Sequence, residues 1–232
     1  MKYLKTYKIF ENVVTELDYS EQRRKSLPEL PKSLKYLYCY NNQLKSLPEL
    51  PKLLERLFCQ KNQLKSLPEL PKSLKYLYCY NNQLNSLPEL PKLLEKLFCY
   101  KNQLKSLPEL PKLLESLDCG DNQLESLPEL PDSLKYLFCH NNKLKSIPKL
   151  PDSLIILCCD NNPLECLIPE KFIHYQDKEW LDYHYYPMIN SYEGQKKILQ
   201  NDITQLEELK KIGLDSRIEK EYVDIIKQID WS

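Results

Sequence analysis

Apolar residues recur along most of this chain with a period of 20 residues, which is neither the repeat of a helix nor that of a long strand. The frames are 26–45, 46–65, 66–85, 86–105, 106–125, 126–145 and 146–165, and a half frame, VTELDYSEQRRK at 14–25, aligns ahead of them with Val14 and Leu17 in register. In the first copy, SLPELPKSLKYLYCYNNQLK, the leucines that every frame repeats are Leu27, Leu30, Leu34, Leu37 and Leu44, with isoleucine at 147 as the one exchange. A unit of this length buries little apolar surface alone, so a core arises only where copies stack.

The segment KYLYC alternates polar-side and apolar-side positions, which predicts a short strand parallel to its copies about 4.8 Å away. That alternation sends Leu37 and Cys39 inward and Tyr36, Tyr38 and Tyr40 outward onto a concave face. The asparagine at 42, 62, 82, 102, 122, 142 and 162 turns the chain inward and is placed to bond the backbone of neighbouring turns. SLPELP is the return path. Its two prolines, three apart, forbid a ladder and favour polyproline II, putting Leu27 and Leu30 on one inward face and leaving a thin, nonhelical convex side.

Three regions follow: an N-terminal cap and half repeat at 1–25, seven repeats at 26–165, and a C-terminal region at 166–232. In the first, TYKIFENVVTELDY reads as a hairpin turning at Glu11-Asn12, in preference to a helix. In the last, Ile198, Leu199, Ile203, Leu206 and Leu209 stand near helical spacing before Gly213. Ser216 and Glu219 form a capping box that opens a second helix, with Ile218, Tyr222, Ile225, Ile226 and Ile229 as its stripe. These helices are expected to cap the open end of the array; the alternative is a separate effector module.

Read down the stack, the outward columns are Tyr36-Tyr38-Tyr40, Arg56-Phe58-Gln60, Tyr76-Tyr78-Tyr80, Lys96-Phe98-Tyr100, Ser116-Asp118-Gly120, Tyr136-Phe138-His140 and Ile156-Cys158-Asp160. The middle column is aromatic in five of the seven copies. Aromatic residues and arginine dominate binding hot spots, and an exposed aromatic patch marks an interaction site. The partner-binding candidates are therefore Tyr36, Tyr38, Tyr40, Arg56, Phe58, Tyr76, Tyr78, Tyr80, Lys96, Phe98, Tyr100, Tyr136, Phe138 and His140. The competing explanation is duplication of a 40-residue super-repeat, with aromatics that pair across strands. The fifth copy, ESLDCGDNQL, opens a gap with Ser116, Asp118 and Gly120, with Asp121 beside it; drift explains it slightly better than a notch for a cationic group. On the convex side Glu29 to Glu129 and Lys32 to Lys112 form parallel columns spaced to neutralise each other.

The charge balance, 33 basic against 33 acidic side chains, argues against a general nucleic-acid binder, and only four of the basic residues are arginine. No segment approaches a membrane span, and the N-terminus lacks the apolar run of a signal peptide. Cys39, Cys59, Cys79, Cys99, Cys119, Cys139 and Cys159 form one inward column of thiols acting as small hydrophobes. Parallel side chains make poor disulfides, and a straight column offers two converging ligands at best, so neither a metal nor a cofactor is expected. Free thiols suit a reducing, cytoplasmic compartment. Cys158 and Cys166 break the column and are expected to be the accessible thiols.

The pattern Leu-x-x-Leu-x-Cys-x-x-Asn-x-Leu, as in Leu34, Leu37, Cys39, Asn42 and Leu44, is the leucine-rich repeat signature. With LPELP ahead of it, residues 26–165 resemble the short repeats of secreted bacterial effectors of the YopM and IpaH type, and also arrays from amoeba-infecting giant viruses. The resemblance implies an α/β repeat fold: a right-handed solenoid with a parallel concave sheet, a polyproline II-like convex side and a small helical cap. It also implies an intracellular protein binder, sometimes bearing a separate ubiquitin-ligase domain. The departure is cysteine at the third core position, where those effectors carry an aliphatic residue.

The ligase of the IpaH type has its catalytic cysteine in a Cys-x-Asp setting, and CGD at 119–121 matches that string. Cys119, however, is a column residue, and the tail after Cys166 is too short for such a domain. His140 and Asp160 share a column in adjacent repeats, which without a nucleophile reads as structural; His174 and His184 show no metal-ligand pattern. No glycine-rich phosphate loop occurs. The sequence thus points to a nonenzymatic scaffold that binds a protein, of the host if the effector resemblance extends to biology. The alternatives are a self-assembling structural repeat and an adaptor whose C-terminal helices carry the activity.

Overall fold

The computed structural model describes residues 9–10 and 13–165, all within one unit, Met1–Gln176. The helices and cap expected over 166–232, and Cys166, His174 and His184, lie outside the described residues. Strands β1 (Ile9–Phe10) and β2 (Val13–Val14) pair antiparallel, Ile9 opposite Val14 and Phe10 opposite Val13, as the hairpin reading requires. The half frame supplies β3 (Glu16–Asp18), and the repeats supply β4 (Tyr36–Tyr38), β5 (Arg56–Phe58), β6 (Tyr76–Tyr78), β7 (Lys96–Phe98), β8 (Ser116–Asp118), β9 (Tyr136–Phe138) and β10 (Ile156–Cys158). Strands β3 to β10 form one parallel sheet in chain order, each residue paired with its equivalent 20 positions on, for example Leu37 with Leu57. This is the leucine-rich repeat solenoid.

Inside it, the leucines equivalent to Leu34, Leu37 and Leu44 are buried in every full copy except at Leu164, which is half-buried, and the cysteine column from Cys39 to Cys159 lies among them. The structure corrects the expectation for Cys158. It faces the concave side, yet it is as buried as the column thiols.

Short strands need another source of cohesion, and the asparagine column supplies it. Asn62 Oδ1 accepts from the Leu44 N–H of the preceding turn at 3.0 Å. Its Nδ2 lies 2.9 Å from Cys39 O and 3.1 Å from Cys59 O, tying two turns together. The same set recurs from Asn82 to Asn162. Where a copy has serine at the turn, its hydroxyl adds another tie: Ser73, Ser133 and Ser153 each donate to a carbonyl of the preceding turn at 2.7 Å. Leu53, Leu93 and Leu113, which take that place in other copies, are exposed.

The return paths contain neither helix nor strand, and each closes with a turn such as Leu34 N–H to Pro31 O at 3.0 Å. The convex charge columns do not pair, contrary to expectation: among the described residues, the Lys–Glu pairs are Lys35–Glu55 and Lys135–Glu115, both beside the strands. Side chains at Glu29 and Lys32 and their equivalents are solvated, and water removes most of the incentive for an exposed pair.

The residue before the asparagine takes a left-handed conformation in each full copy, with φ of 54° at Asn41, 55° at Lys61 and 54° at Lys101. Asparagine tolerates this region and lysine does so at a cost. Lys61→Asn should therefore raise stability by roughly 1 kcal/mol in chemical denaturation. Lys101→Asn should gain less, because Lys101 Nζ sits 5.8 Å from the Tyr100 ring centroid and that contact would be lost.

Candidate functional site

The outward columns are not separate side chains waiting on a surface. Strand spacing falls within the centroid separation of offset-stacked rings, so the middle column stacks: Tyr38 on Phe58 at 4.8 Å between centroids, Phe58 on Tyr78 at 4.6 Å and Tyr78 on Phe98 at 4.6 Å. In the third column Tyr80 stacks on Tyr100 at 4.3 Å. The first column alternates ring and cation. The Arg56 guanidinium lies 5.2 Å from the Tyr36 ring centroid and 4.9 Å from that of Tyr76, and Lys96 Nζ lies 5.8 Å from Tyr76 on its other side. Tyr76 also donates its hydroxyl to Glu95 Oε2 at 3.0 Å.

The face is graded from one end to the other. Arg56 is exposed, and Tyr36, Tyr38, Tyr40, Phe58 and Tyr76 are half-buried. Further along, Tyr78 retains 7% of its exposure, Phe98 2% and Phe138 none, and Tyr80, Tyr100 and His140 are likewise buried; Lys96 and Tyr136 are half-buried. The outward aromatics keep partial exposure at the N-terminal repeats, and the expectation of an open patch is corrected beyond them, where side chains of adjacent turns cover the inner rings. Burial has electrostatic consequences. It pushes the Tyr78 phenol up, with the Tyr76 phenol adding to the effect, and it pulls the Lys96 ammonium below the usual lysine range against the opposing pull of Glu115 and Glu95.

The fifth copy interrupts both ring columns. Asp118 replaces the ring in the middle column, is fully buried, and accepts from the Gly120 N–H at 3.2 Å. Gly120 leaves room that the next copy uses: a Cβ there would lie 2.4 Å from His140 Cε1, so the His140 imidazole rests against the Gly120 backbone. The notch therefore exists and a side chain of this chain fills it. His140 Nε2 lies 3.8 Å from Asp121 Oδ2. Burial alone would lower the His140 pKa, but Asp121, Asp118 and Asp160 together outweigh it and the net shift is upward; Asp121 is correspondingly lowered by His140 first, then by Asn141. His140 and Asp160 do come together, and Cys158 joins them, a convergence the column-by-column reading missed. The signal lay in the spacing, since positions 20 and 18 apart sit side by side in a 20-residue repeat.

From Cys39 to Cys139 burial holds the column thiols away from the thiolate form. Burial raises Cys119 well above its ordinary value, with Cys99 and Asp118 adding to it, and pushes Cys79 up to about 12. A nucleophilic cysteine requires the opposite shift.

The Leucine Rich repeats (2 copies) family matches residues 32–72, 52–92 and 72–112. Among solved structures, YopM from Yersinia enterocolitica WA-314 is 40% identical, covering 68% of this chain and 36% of its own, with a TM-score of 0.66. YopM from Yersinia pestis, described as a leucine-rich effector protein, is 45% identical over 65% of this chain and 44% of its own, with a TM-score of 0.63. A Shigella effector LRR domain is 35% identical over 65% of this chain and 70% of its own, with a TM-score of 0.61. The chain thus spans less than half the length of the two Yersinia structures. No curated protein sequence matches it.

Proposed function

This chain belongs to the leucine-rich repeat family, and we propose that it is a protein-binding scaffold that engages its partner through the N-terminal half of its aromatic face. One observation carries the reading. At β4 to β6 an exposed arginine is held between two tyrosine rings, with the half-buried stack of Tyr38 and Phe58 alongside. Arginine and large aromatics in this setting are preorganised: packing has already reduced their rotamer freedom, so less is lost when a partner covers them. The likeness to effector proteins makes a host protein the partner class, and the column of free thiols suits a reducing cytosol.

Immobilised full-length protein, incubated with host cytosol, should retain a protein that Arg56→Ala and Phe58→Ala fail to retain. Retention by both variants at the wild-type level would remove the face from the account. Light scattering of the purified chain addresses self-assembly: a monomer across the concentration range supports a heterologous partner, and a stable oligomer lost in Arg56→Ala would reassign the same face to self-association.

A further inference from the structure

The cluster at the C-terminal end of the concave face has the composition of a transition-metal site, and we propose that His140, Cys158 and Asp160 bind a zinc ion. One imidazole nitrogen, the Cys158 Sγ and an Asp160 carboxylate oxygen all lie within 4.8 Å of one another. Ligand atoms around a tetrahedral zinc stand about 3.3–3.8 Å apart, so small side-chain rotations close the set. Nitrogen, thiolate and carboxylate are the donors zinc favours, and hard cations such as Ca²⁺ and Mg²⁺ avoid sulfur.

A second, independent observation points the same way. His140 is 6% exposed, and its Nδ1 is buried with no hydrogen-bond partner. A buried unpaired imidazole nitrogen is costly unless something occupies its lone pair. The other nitrogen, Nε2, faces the Asp121 carboxylate at 3.8 Å. A carboxylate beside the second nitrogen is the outer-shell partner that metal-bound histidines use, and on closing to hydrogen-bond distance Asp121 would hold the proton on Nε2 and leave Nδ1 to the metal. Gly120 completes the arrangement, since any larger residue would displace the ring from its place.

Cys158 Sγ now lies 3.0 Å from Asp160 Oδ1, a thiol donating to a carboxylate. On binding, zinc takes the place of that proton, which leaves to the solvent as the Zn–S bond forms; Asp160 turns from hydrogen-bond acceptor to ligand. With three protein ligands the fourth position is left to water or to a donor from a partner, as in open zinc sites. The site departs from the expectation of no metal because its ligands come from two columns of two adjacent repeats.

The test is a titration of the reduced, chelator-treated full chain with Zn²⁺ against a chromophoric competitor, together with Co²⁺ absorption. One equivalent should bind, with a thiolate-to-Co²⁺ charge-transfer band and the intense visible bands of a tetrahedral site. Cys158→Ser should remove the charge-transfer band, and His140→Ala should weaken zinc more than about 100-fold. Asp121→Asn and Gly120→Ala, which leave the three ligands in place, should each weaken it about 10-fold by misplacing the imidazole. Cys166→Ser and His174→Ala control for other donors in the chain and should change nothing. No stoichiometric binding, a charge-transfer band that persists in Cys158→Ser, or loss of binding in the Cys166 or His174 variants would overturn the proposal. Thermal unfolding guards against misfolding: zinc should raise the Tm of wild type but not of Cys158→Ser, and a zinc shift retained by the variant counts against the site.

Discussion

Asn62→Ala is expected to destabilise the protein by roughly 2–3 kcal/mol, because it leaves a buried backbone N–H without an acceptor and removes the side-chain bonds between two turns. The Leu44 N–H loses its acceptor, while the carbonyls of Cys39 and Cys59 lose the Asn62 donor and keep those of Asn42 and Asn82. The Leu44 N–H is buried, and the two turns joined here have strands of only three residues each to hold them. Gln63→Ala, one residue on and exposed, should change stability by less than about 0.5 kcal/mol. Urea denaturation of the two variants checks the pair. Equal midpoints would mean that the asparagine column contributes register alone and that the leucine core suffices.

Phe98→Ala should cost about 3 kcal/mol, the range for removing a buried aromatic ring. The side chain points away from the leucine core, and sequence alone suggests that truncating it would be harmless to folding. The structure says otherwise: Phe98 is 2% exposed and continues the stack through Tyr78 at 4.6 Å. Tyr38→Ala, at the open end of the same column with one stacking neighbour at 4.8 Å, should cost about 1 kcal/mol. Thermal or urea unfolding measures both. Equal, small losses would show that the inner rings are a surface feature after all, and would restore the whole column as a binding floor.

Much of this fold could be read from one frame of the repeat. Leu37, Cys39 and Asn42 fall where alternation and the turn position put them, because every copy has the same neighbours above and below. A consensus suffices where environment is uniform. It fails where copies differ, since the outcome then depends on how unlike side chains share space. Gly120 read as a gap in an aromatic floor; in three dimensions it is the space into which the His140 ring of the next turn lies. Cys158 read as an accessible thiol from its parity, and it is buried beside Asp160. The convex Glu and Lys columns were placed correctly, but proximity alone does not close ion pairs between solvated side chains.

The grading of the outward face follows the same logic. Parity and residue type together select fourteen candidates on it without distinction, whereas packing divides them into an accessible group around Arg56 and a buried group around Phe98. Substitutions in the second group confound binding with folding. Those in the first do so less, which makes them the more informative set.

The most direct measurement is therefore calorimetric titration of the captured partner against wild type and two pairs of variants, each first checked by thermal unfolding to be folded at the titration temperature. If the N-terminal half of the aromatic face is the contact surface, Arg56→Ala and Phe58→Ala will each weaken binding by about 2 kcal/mol or more, as hot-spot residues do. Glu69→Ala and Lys72→Ala, on the convex side of the adjacent repeat, will bind as wild type does. Full-strength binding by Arg56→Ala and Phe58→Ala, with loss in the convex pair, would contradict the account.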